Sequence, residues 1–288
     1  MVRKISVIIV TYNSYDLILD CINSVYDHND INEDDIEVIV VDNSPEEEGL
    51  RLKRLLSDTY QDKVVFIKNE NKGYGHGNNV GIRNSNGEII AIMNPDVRIT
   101  EPLFKRVSEI FDDQNVASLG FKQINGVRDF SFYRFPELFF PFTYSFKNRK
   151  DNINEMFDQH VHALSGAFVF FRRKDFVEIG MYDENFFMYY EEADTSKRIN
   201  LMNKKIIYDK SKSYIHLMDH KGNFNERLLD IEAFSAKIYF GKHNLNLEKY
   251  IKLRLIEFKL HKIIFYCTGN TNRVKKVSAW INAFKKIL

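Results

Sequence analysis

The sequence has little of what would place it outside the ordinary globular proteins. Two cysteines in 288 residues, Cys21 and Cys267, stand far apart, which excludes a disulfide framework and a cysteine metal cluster and fits a reducing compartment. No apolar run approaches the roughly 20 residues of a membrane-spanning helix. The first apolar run, Ile5 to Val10, follows Arg3-Lys4 but is short, and no small-residue cleavage site comes after it. It reads as a first strand rather than a signal peptide. Internal repeats and low-complexity linkers are also lacking. A hydrophobic content of 44% with 28% charged residues then leaves a soluble protein with a real core, built as one large domain with an extension or as two small domains.

Net charge is nearly absent too, at +1, but the balance is uneven. Residues 249–288 hold ten Lys or Arg against one acid, Glu257, a net of +9, so residues 1–248 carry −8. The expected organisation is therefore an acidic body over 1–248, with a first half over 1–121 and a second over 122–248, and a basic helical tail over 249–288. In that tail Val274, Val277, Ile281, Phe284 and Leu288 recur at intervals of three and four while Lys275, Lys276, Lys285 and Lys286 take other faces, the pattern of an amphipathic helix. It could dock on the body or lie on an anionic membrane surface.

What is present is a repeated alternation of strand and helix. Apolar runs at Ile5–Val10, Ile36–Val41, Val64–Ile67, Ile89–Met93, Val116–Phe121 and Ala167–Phe171 read as buried strands. Between them lie helical stretches led by Ser14, by Glu46-Glu47-Glu48 and by Pro102. This predicts an α/β fold, a doubly wound sheet with right-handed crossovers. A helix ending at Gly180, a helix over Thr195–Leu201 and a final hairpin or strand segment over Ile206–Tyr208 and Ser213–His216 follow. Phe130 to Phe146 carries nine aromatics in seventeen residues, either a flap packed on the core or a binding wall.

Chemistry-bearing residues gather where the strands stop. Ile89 to Met93 runs into Asn94-Pro95-Asp96, and in open α/β sheets ligands bind at the carboxyl edge of the strands. An ordinary turn would use the same residue types. The loop Lys72-Gly73-Tyr74-Gly75-His76-Gly77-Asn78 invites a dinucleotide reading, which fails: a G-x-G-x-x-G from Gly73 needs glycine where Asn78 stands, and one from Gly75 needs it at Val80. Glu191, Glu192 and Asp194 follow the apolar run Phe186-Phe187-Met188-Tyr189-Tyr190. Asp194 is four residues from Arg198, a spacing that suits a surface ion pair. On a helix 191 and 194 share a face while 192 is rotated by roughly 100 degrees, so the three acids are not expected to point into one site.

Thr11-Tyr12-Asn13 after the first strand, Val41-Asp42-Asn43-Ser44 after the second, Asn69 to Asn78, Asn94-Pro95-Asp96, and Phe186 to Glu192 together resemble the GT-A fold glycosyltransferases of family 2, in the family's order over about residues 4–240. The likeness is greatest to bacterial rhamnosyltransferase-like members that build surface polysaccharides such as capsule and O-antigen. It implies a GT-A fold with a mixed central sheet and a C-terminal helical extension. It also implies an inverting transfer of a sugar from a nucleotide donor, dTDP-rhamnose or a UDP-sugar, to a hydroxyl of a glycan or lipid-linked glycan acceptor, with Mg²⁺ or Mn²⁺ as cofactor. By resemblance Asp42 takes the base N–H of the nucleotide, Thr11, Tyr12, Asn13, Asn78 and Asn94 line the donor, and Asp96 holds the metal. Asn94 stands where the family's D-x-D has its first Asp. His216 resembles the late metal-contacting His, with His220 as the alternative. Glu192 occupies the catalytic-base position, and a cytoplasmic protein on the inner face of the plasma membrane is implied. No nucleic-acid partner is expected.

Two rival classes remain. A sugar nucleotidyltransferase would need a glycine-rich, basic loop after the first strand, and Thr11-Tyr12-Asn13-Ser14-Tyr15-Asp16 is neither. A non-catalytic scaffold would keep the fold and lose the chemistry.

Overall fold

The computed structural model describes residues 4–124, 130–217 and 225–288. His220, one of the two candidate late histidines, lies outside the described residues.

The chain begins with strand β1 (Ile5–Thr11), helix α1 (Tyr15–Asp27), β2 (Ile36–Asp42), α2 (Glu46–Tyr60), β3 (Val64–Lys68), α3 (Tyr74–Arg83) and β4 (Ile89–Met93). These four strands are parallel, in the order β3-β2-β1-β4. The chain adds β2 and β3 on one side of β1 and β4 on the other, so the switch in direction, where ligands collect, lies between β1 and β4. Registers are level at the ends: Thr11 pairs with Asp42, and Asp42 with Lys68.

Next come β5 (Val97–Ile99), α4 (Phe104–Ile110), β6 (Val116–Ile124), β7 (Phe132–Arg134), α5 (Thr143–Ile153), β8 (His162–Leu164), β9 (Phe168–Arg172), α6 (Arg173–Glu178), α7 (Glu191–Leu201) and β10 (Lys205–His216). Strand β9 enters the main sheet antiparallel to both β4 and β6, and β10 runs parallel to β6 and antiparallel to β5. The result is a mixed eight-stranded sheet, with β7 and β8 as a separate small pair. Helices α8 (Glu226–Lys242), α9 (Leu247–Cys267) and α10 (Thr271–Lys285) finish the described chain.

Alternation along the buried strands explains the two cores. Ile5, Val7 and Ile9 face α1, α2 and α4 with Val38, Val40, Ile89 and Ala91, while Ile8, Ile39, Val41, Ile90 and Ile92 face α3, α6 and α7. A third apolar cluster joins the C-terminal helices to Phe135, Phe139, Phe186 and Ala193.

Several elements differ from, or add to, those expected. The short β5 was hidden in three residues, Val97-Arg98-Ile99, too few to show a period. Of the hairpin or strand segment expected at 206–216, the strand is what forms, broken in register between Asp209 and Ser213, so its two halves pair on both sides of a bulge rather than with each other. Helix α7 begins at Glu191, not Thr195. The tail expected from 249 starts at Leu247 with α9, and its stripe Val277, Ile281 and Phe284 is buried against the body, although Leu288 is exposed.

Candidate active site

Loop geometry sets the first half of the site. At the carboxyl ends of β1, β2 and β3 a groove of about 610 Å³ is lined by Tyr12, Asn43, Ser44, Lys68, Asn69 and neighbouring residues. Asp42 lies beneath it, fully buried. Its Oδ1 accepts hydrogen bonds from Thr11 Oγ1 at 2.9 Å and Ser44 Oγ at 2.6 Å. Its Oδ2 accepts no hydrogen bond from the described residues and stands 3.6 Å from Lys68 Nζ. Thr11 is also buried, Tyr12 is exposed, and Asn13, with φ of 54°, donates its N–H to Ser44 Oγ at 2.8 Å.

The glycines of the 72–78 loop serve close packing. Gly73 has φ of +117°, and a Cβ there would lie 2.4 Å from the Phe187 carbonyl oxygen, a conformation and an approach that only glycine accepts. At Gly77 a Cβ would meet Val10 at 2.9 Å. Tyr74 N–H donates to Phe187 O at 2.8 Å, so the loop is stapled to the segment before α7. Asn78 is wholly buried with Nδ2 on the Tyr74 carbonyl. It supports the loop from within and is not among the residues lining either groove.

A second cleft, of about 530 Å³, opens beyond β4. Asn94, Tyr74, Gly166, Glu191, Glu192 and His216 line one end, and Tyr133, Arg134, Tyr144, Tyr190, Tyr250, Glu232 and Arg254 line the other. The Tyr74 hydroxyl donates at 3.0 Å to Asn94 Oδ1 and at 3.0 Å to the Gly166 carbonyl, one proton shared between two acceptors. Glu192 lies against the bare backbone of Gly166, where a Cβ would sit 2.1 Å from Glu192 Oε1. Asn94, Tyr74, Gly166 and Glu192 are thus one connected group.

Asp96 Oδ2 is 3.2 Å from His216 Nε2, both partly buried. They meet because β10 pairs with β5, with His216 opposite Val97. Among the described residues no three His, Cys, Asp or Glu side chains come together as a metal cage. The pair supplies one carboxylate oxygen, the ligand a hard cation takes, and one imidazole nitrogen, and leaves the remaining positions to oxygen atoms of a bound phosphate. His216 Nδ1 is buried and makes no hydrogen bond with the described residues. The donor set fits a cation shared with a diphosphate.

Strained backbone presents the acids. Tyr189 and Tyr190 both have positive φ, 76° and 73°, which is costly for bulky side chains and clusters at functional sites. Glu191 and Glu192 open α7 immediately after them. Both line the second cleft while Asp194 does not, so the three acids do not share one site, as expected, but the two glutamates do. The 100-degree rotation holds, but the cleft wraps the end of the helix. Burial, then the charge of Glu192, push the Glu191 carboxyl well above its usual range, and burial also raises Glu192. Helix-end N–H groups favour the charged forms but are outweighed.

Asp194 is paired with Arg198, as expected, but the pair is buried rather than on the surface. Lys242 and His243 each approach its carboxylate to 2.9 Å. Burial alone would raise the Asp194 carboxyl, yet His243, Arg198 and Lys242 bring it down to about 2. This acid locks α7 to α8 and stands outside the cleft lining.

Sequence reasoning missed Tyr74, Arg134, Tyr190, Tyr250, Glu232 and Arg254 as cleft residues. Tyr74 lies inside the glycine-rich loop; the aromatic stretch fits either core or site from sequence, and it is both, with Phe132 and Phe135 buried while Tyr133, Arg134 and Phe139 line the cleft. Nothing in the sequence marks Glu232 or Arg254.

A mixed sheet with a strand-end groove, a carboxylate–imidazole pair and buried glutamates around one cleft defines a transferase of the GT-A fold. A family model described as Glycosyl transferase family 2 matches residues 6–180, and the chain belongs to that family. It is 24% identical over 219 residues to the rhamnosyltransferase WbbL of Escherichia coli, covering 70% of this chain and 80% of that protein. It is 28% identical over 224 residues to the low-salt glycan biosynthesis hexosyltransferase Agl10 of Haloferax volcanii, covering 72% of this chain and 64% of that one. Among solved structures, the mannosyltransferase PcManGT of Pyrobaculum calidifontis, in complex with GDP-Man and Mn²⁺, superposes with a TM-score of 0.61 at 18% identity, covering 98% of this chain and 74% of that one. Residues 1–349 of S. aureus TarS give 0.55 at 16% identity, over 98% of this chain and 90% of that one. The protein is a family 2 glycosyltransferase.

Proposed function

We propose that the protein transfers a sugar, with inversion, from a nucleoside-diphosphate donor to a hydroxyl of a glycan acceptor in a metal-dependent reaction. The observation that carries this reading is the continuity of Asn94, Tyr74, Gly166 and Glu192 along one cleft, which joins the donor end of the sheet to a carboxylate suited to removing a proton.

In this reading the base of the nucleotide occupies the groove beside Tyr12, Asn43 and Lys68, above the Thr11–Asp42–Ser44 network. Asp96 and His216 would hold a Mg²⁺ or Mn²⁺ ion, which supplies electrostatic stabilisation of the departing diphosphate. Asn94, its Oδ1 fixed by Tyr74, keeps its amide N–H groups for donor oxygens. Glu192 takes the proton of the acceptor hydroxyl as that oxygen attacks the anomeric carbon. Because the diphosphate leaves unprotonated, one protein base is enough, unlike the carboxylate pair of a glycosidase. GDP-Man and Mn²⁺ in the Pyrobaculum mannosyltransferase support the donor and cation classes; WbbL supports a rhamnosyl donor.

The test is a panel of UDP-, dTDP- and GDP-sugars with and without Mn²⁺, read by thermal shift and donor turnover. The expected result is metal-dependent stabilisation by one nucleotide class, and loss of turnover in EDTA and in Asp96→Ala. Full turnover in EDTA would remove the metal from the scheme, and a folded protein that neither binds nor turns over any donor would be the scaffold alternative.

A membrane-linked acceptor is also part of the proposal. Among the described residues no helix is long and apolar enough to cross a membrane. Helix α9, however, exposes Ile256, Leu260, Ile263 and Ile264 beside Lys252, Lys259 and Lys262, a stripe suited to lying on an anionic cytoplasmic leaflet. Vesicle co-flotation should weaken with salt, since each basic residue contributes on the order of 1 kcal/mol, and should be lost when Ile256 and Ile263 become Glu. Unchanged flotation in that variant would exclude the α9 surface.

A further inference from the structure

The far end of the second cleft has a composition of its own. Glu232 from α8 and Arg254 from α9 both line it. Glu232 makes no hydrogen bond with the described residues; burial pushes its carboxyl up to about 7, with Arg254 pulling the other way. The two charges feel each other without meeting as an ion pair. The Arg254 guanidinium carbon stands 4.6 Å from the ring centre of Phe258, 4.8 Å from Phe139 and 5.5 Å from Phe284, and its buried Nε has no hydrogen-bond partner among the described residues. Three aromatic faces fix the planar fork in place. Beside it the hydroxyls of Tyr190 and Tyr250 lie 3.0 Å apart, and Tyr144 completes an aromatic wall.

We propose that Glu232 and Arg254 are the acceptor-recognition pair of this enzyme, binding neighbouring hydroxyls of an uncharged sugar ring held against the tyrosine wall. The inference rests on the glycosyltransfer reading and gives its acceptor a chemical class. One hydroxyl of a vicinal pair donates to the Glu232 carboxyl while the next accepts from the Arg254 fork, which satisfies groups otherwise left without partners. Sugar faces are apolar and pack well on tyrosine rings. An anionic acceptor group fits less well. Glu191, Glu192 and Glu232 share the cleft, whereas Arg134 is already held by Asp151 and Arg254 has Glu257 at 3.7 Å.

The experiment measures dissociation constants of uncharged octyl hexosides (glucoside, rhamnoside, N-acetylglucosaminide) and of glycerol phosphate by ligand-observed NMR, with saturating nucleoside diphosphate and Mn²⁺. At least one octyl hexoside should bind, and Glu232→Ala and Arg254→Lys should each weaken it tenfold or more. Glu232→Gln, which keeps an acceptor oxygen, should recover part of the loss. Nucleotide affinity, measured on the same samples, reports correct folding; should Arg254→Lys fail to fold, Glu232→Ala decides alone. Hexoside affinity unchanged in Glu232→Ala, absence of hexoside binding to a protein that binds nucleotide, or binding of glycerol phosphate alone would each overturn the assignment. Failure of the wild-type protein to bind UDP, dTDP and GDP would instead defeat the glycosyltransfer reading, and that arm is read separately.

Discussion

The two grooves at the edge of the sheet are built on opposite principles. On the side proposed for the donor, Asp42 is buried and held at one oxygen: two hydroxyls donate to Oδ1, while Oδ2 has Lys68 at 3.6 Å and accepts no hydrogen bond from the described residues. On the acceptor side, Glu191, Glu192 and Glu232 sit in a largely aromatic cleft with their carboxyls raised by burial. A carboxylate held by two hydroxyls is fixed in position, which suits recognition of a base and a sugar nucleotide. An unsatisfied one is a better proton acceptor or hydroxyl binder, because a substrate supplies what the protein withholds. In the proposed scheme the molecule separates holding from reacting along one edge.

The sharpest way to break this contrast is to remove the base. Glu192→Gln keeps shape and hydrogen bonding but cannot take a proton, and should lower the transfer rate about 100-fold or more with donor affinity almost unchanged. In the unmodified enzyme the rate should climb as pH rises through the elevated pKa of Glu192, because only the ionised carboxylate accepts a proton. That limb should vanish in the Gln variant. Glu191→Gln is the control, since Glu191 lines the same cleft. If it abolishes transfer while Glu192→Gln does not, the base is Glu191 and the Gly166 contact is structural.

The next effect concerns stability, and it uses the one acid of this segment that is fully paired. Asp194 has its carboxyl held at about 2, against 3.8 in an unstructured chain. A carboxyl lowered by folding stabilises the native state above the unfolded pKa and loses that contribution as pH falls through the folded one. At 1.36 kcal/mol per unit this amounts to about 2 kcal/mol, lost between roughly pH 4 and pH 2. Urea unfolding at pH 2.5 and pH 6 measures it. Asp194→Asn should flatten this limb while lowering stability at neutral pH, because Arg198, Lys242 and His243 lose a shared anion. An unchanged acid limb would mean that the α7–α8 lock is not held by this charge.

How far the sequence revealed these features follows from how they are made. Asn94, Asp96 and Asp42 were visible because they end apolar runs, and a buried strand announces its carboxyl edge. His216 was visible as the end of a strand, but its 3.2 Å contact with Asp96 depends on β5, three residues with no detectable period. Glu191 and Glu192 stood out behind an apolar run, and Asp194 is set apart from them as the spacing suggests, but that one cleft takes in both glutamates follows from its wrapping the helix end, which no spacing shows. Glu232, Tyr250 and Arg254 were invisible: they reach the site only because α8 and α9 pack on Phe135, Phe139 and Ala193, contacts between segments far apart in the chain. The tail's pattern allowed docking on the body or a membrane surface, and its stripe Val277, Ile281 and Phe284 packs on the body.

The smallest expected effect tests the donor side in isolation. Ser44 donates to Asp42 Oδ1 at 2.6 Å and accepts from Asn13 N–H at 2.8 Å, so one hydroxyl ties the ends of β1 and β2 together beside the exposed Tyr12. Ser44→Ala removes both hydrogen bonds but leaves the carboxylate its contacts with Thr11 and Lys68. A neutral hydrogen bond contributes about 1 kcal/mol, and the looser Asp42 should raise the donor dissociation constant about fivefold. Isothermal calorimetry with the nucleoside diphosphate reads this directly, and steady-state kinetics should place the change in the donor KM far more than in kcat. The same substitution should leave the acidic limb assigned to Glu192 in its wild-type position, since the two carboxylates belong to different grooves. If Ser44→Ala instead shifts that limb or lowers kcat as much as it raises KM, the grooves are coupled, and the separation of holding from reacting does not describe this enzyme.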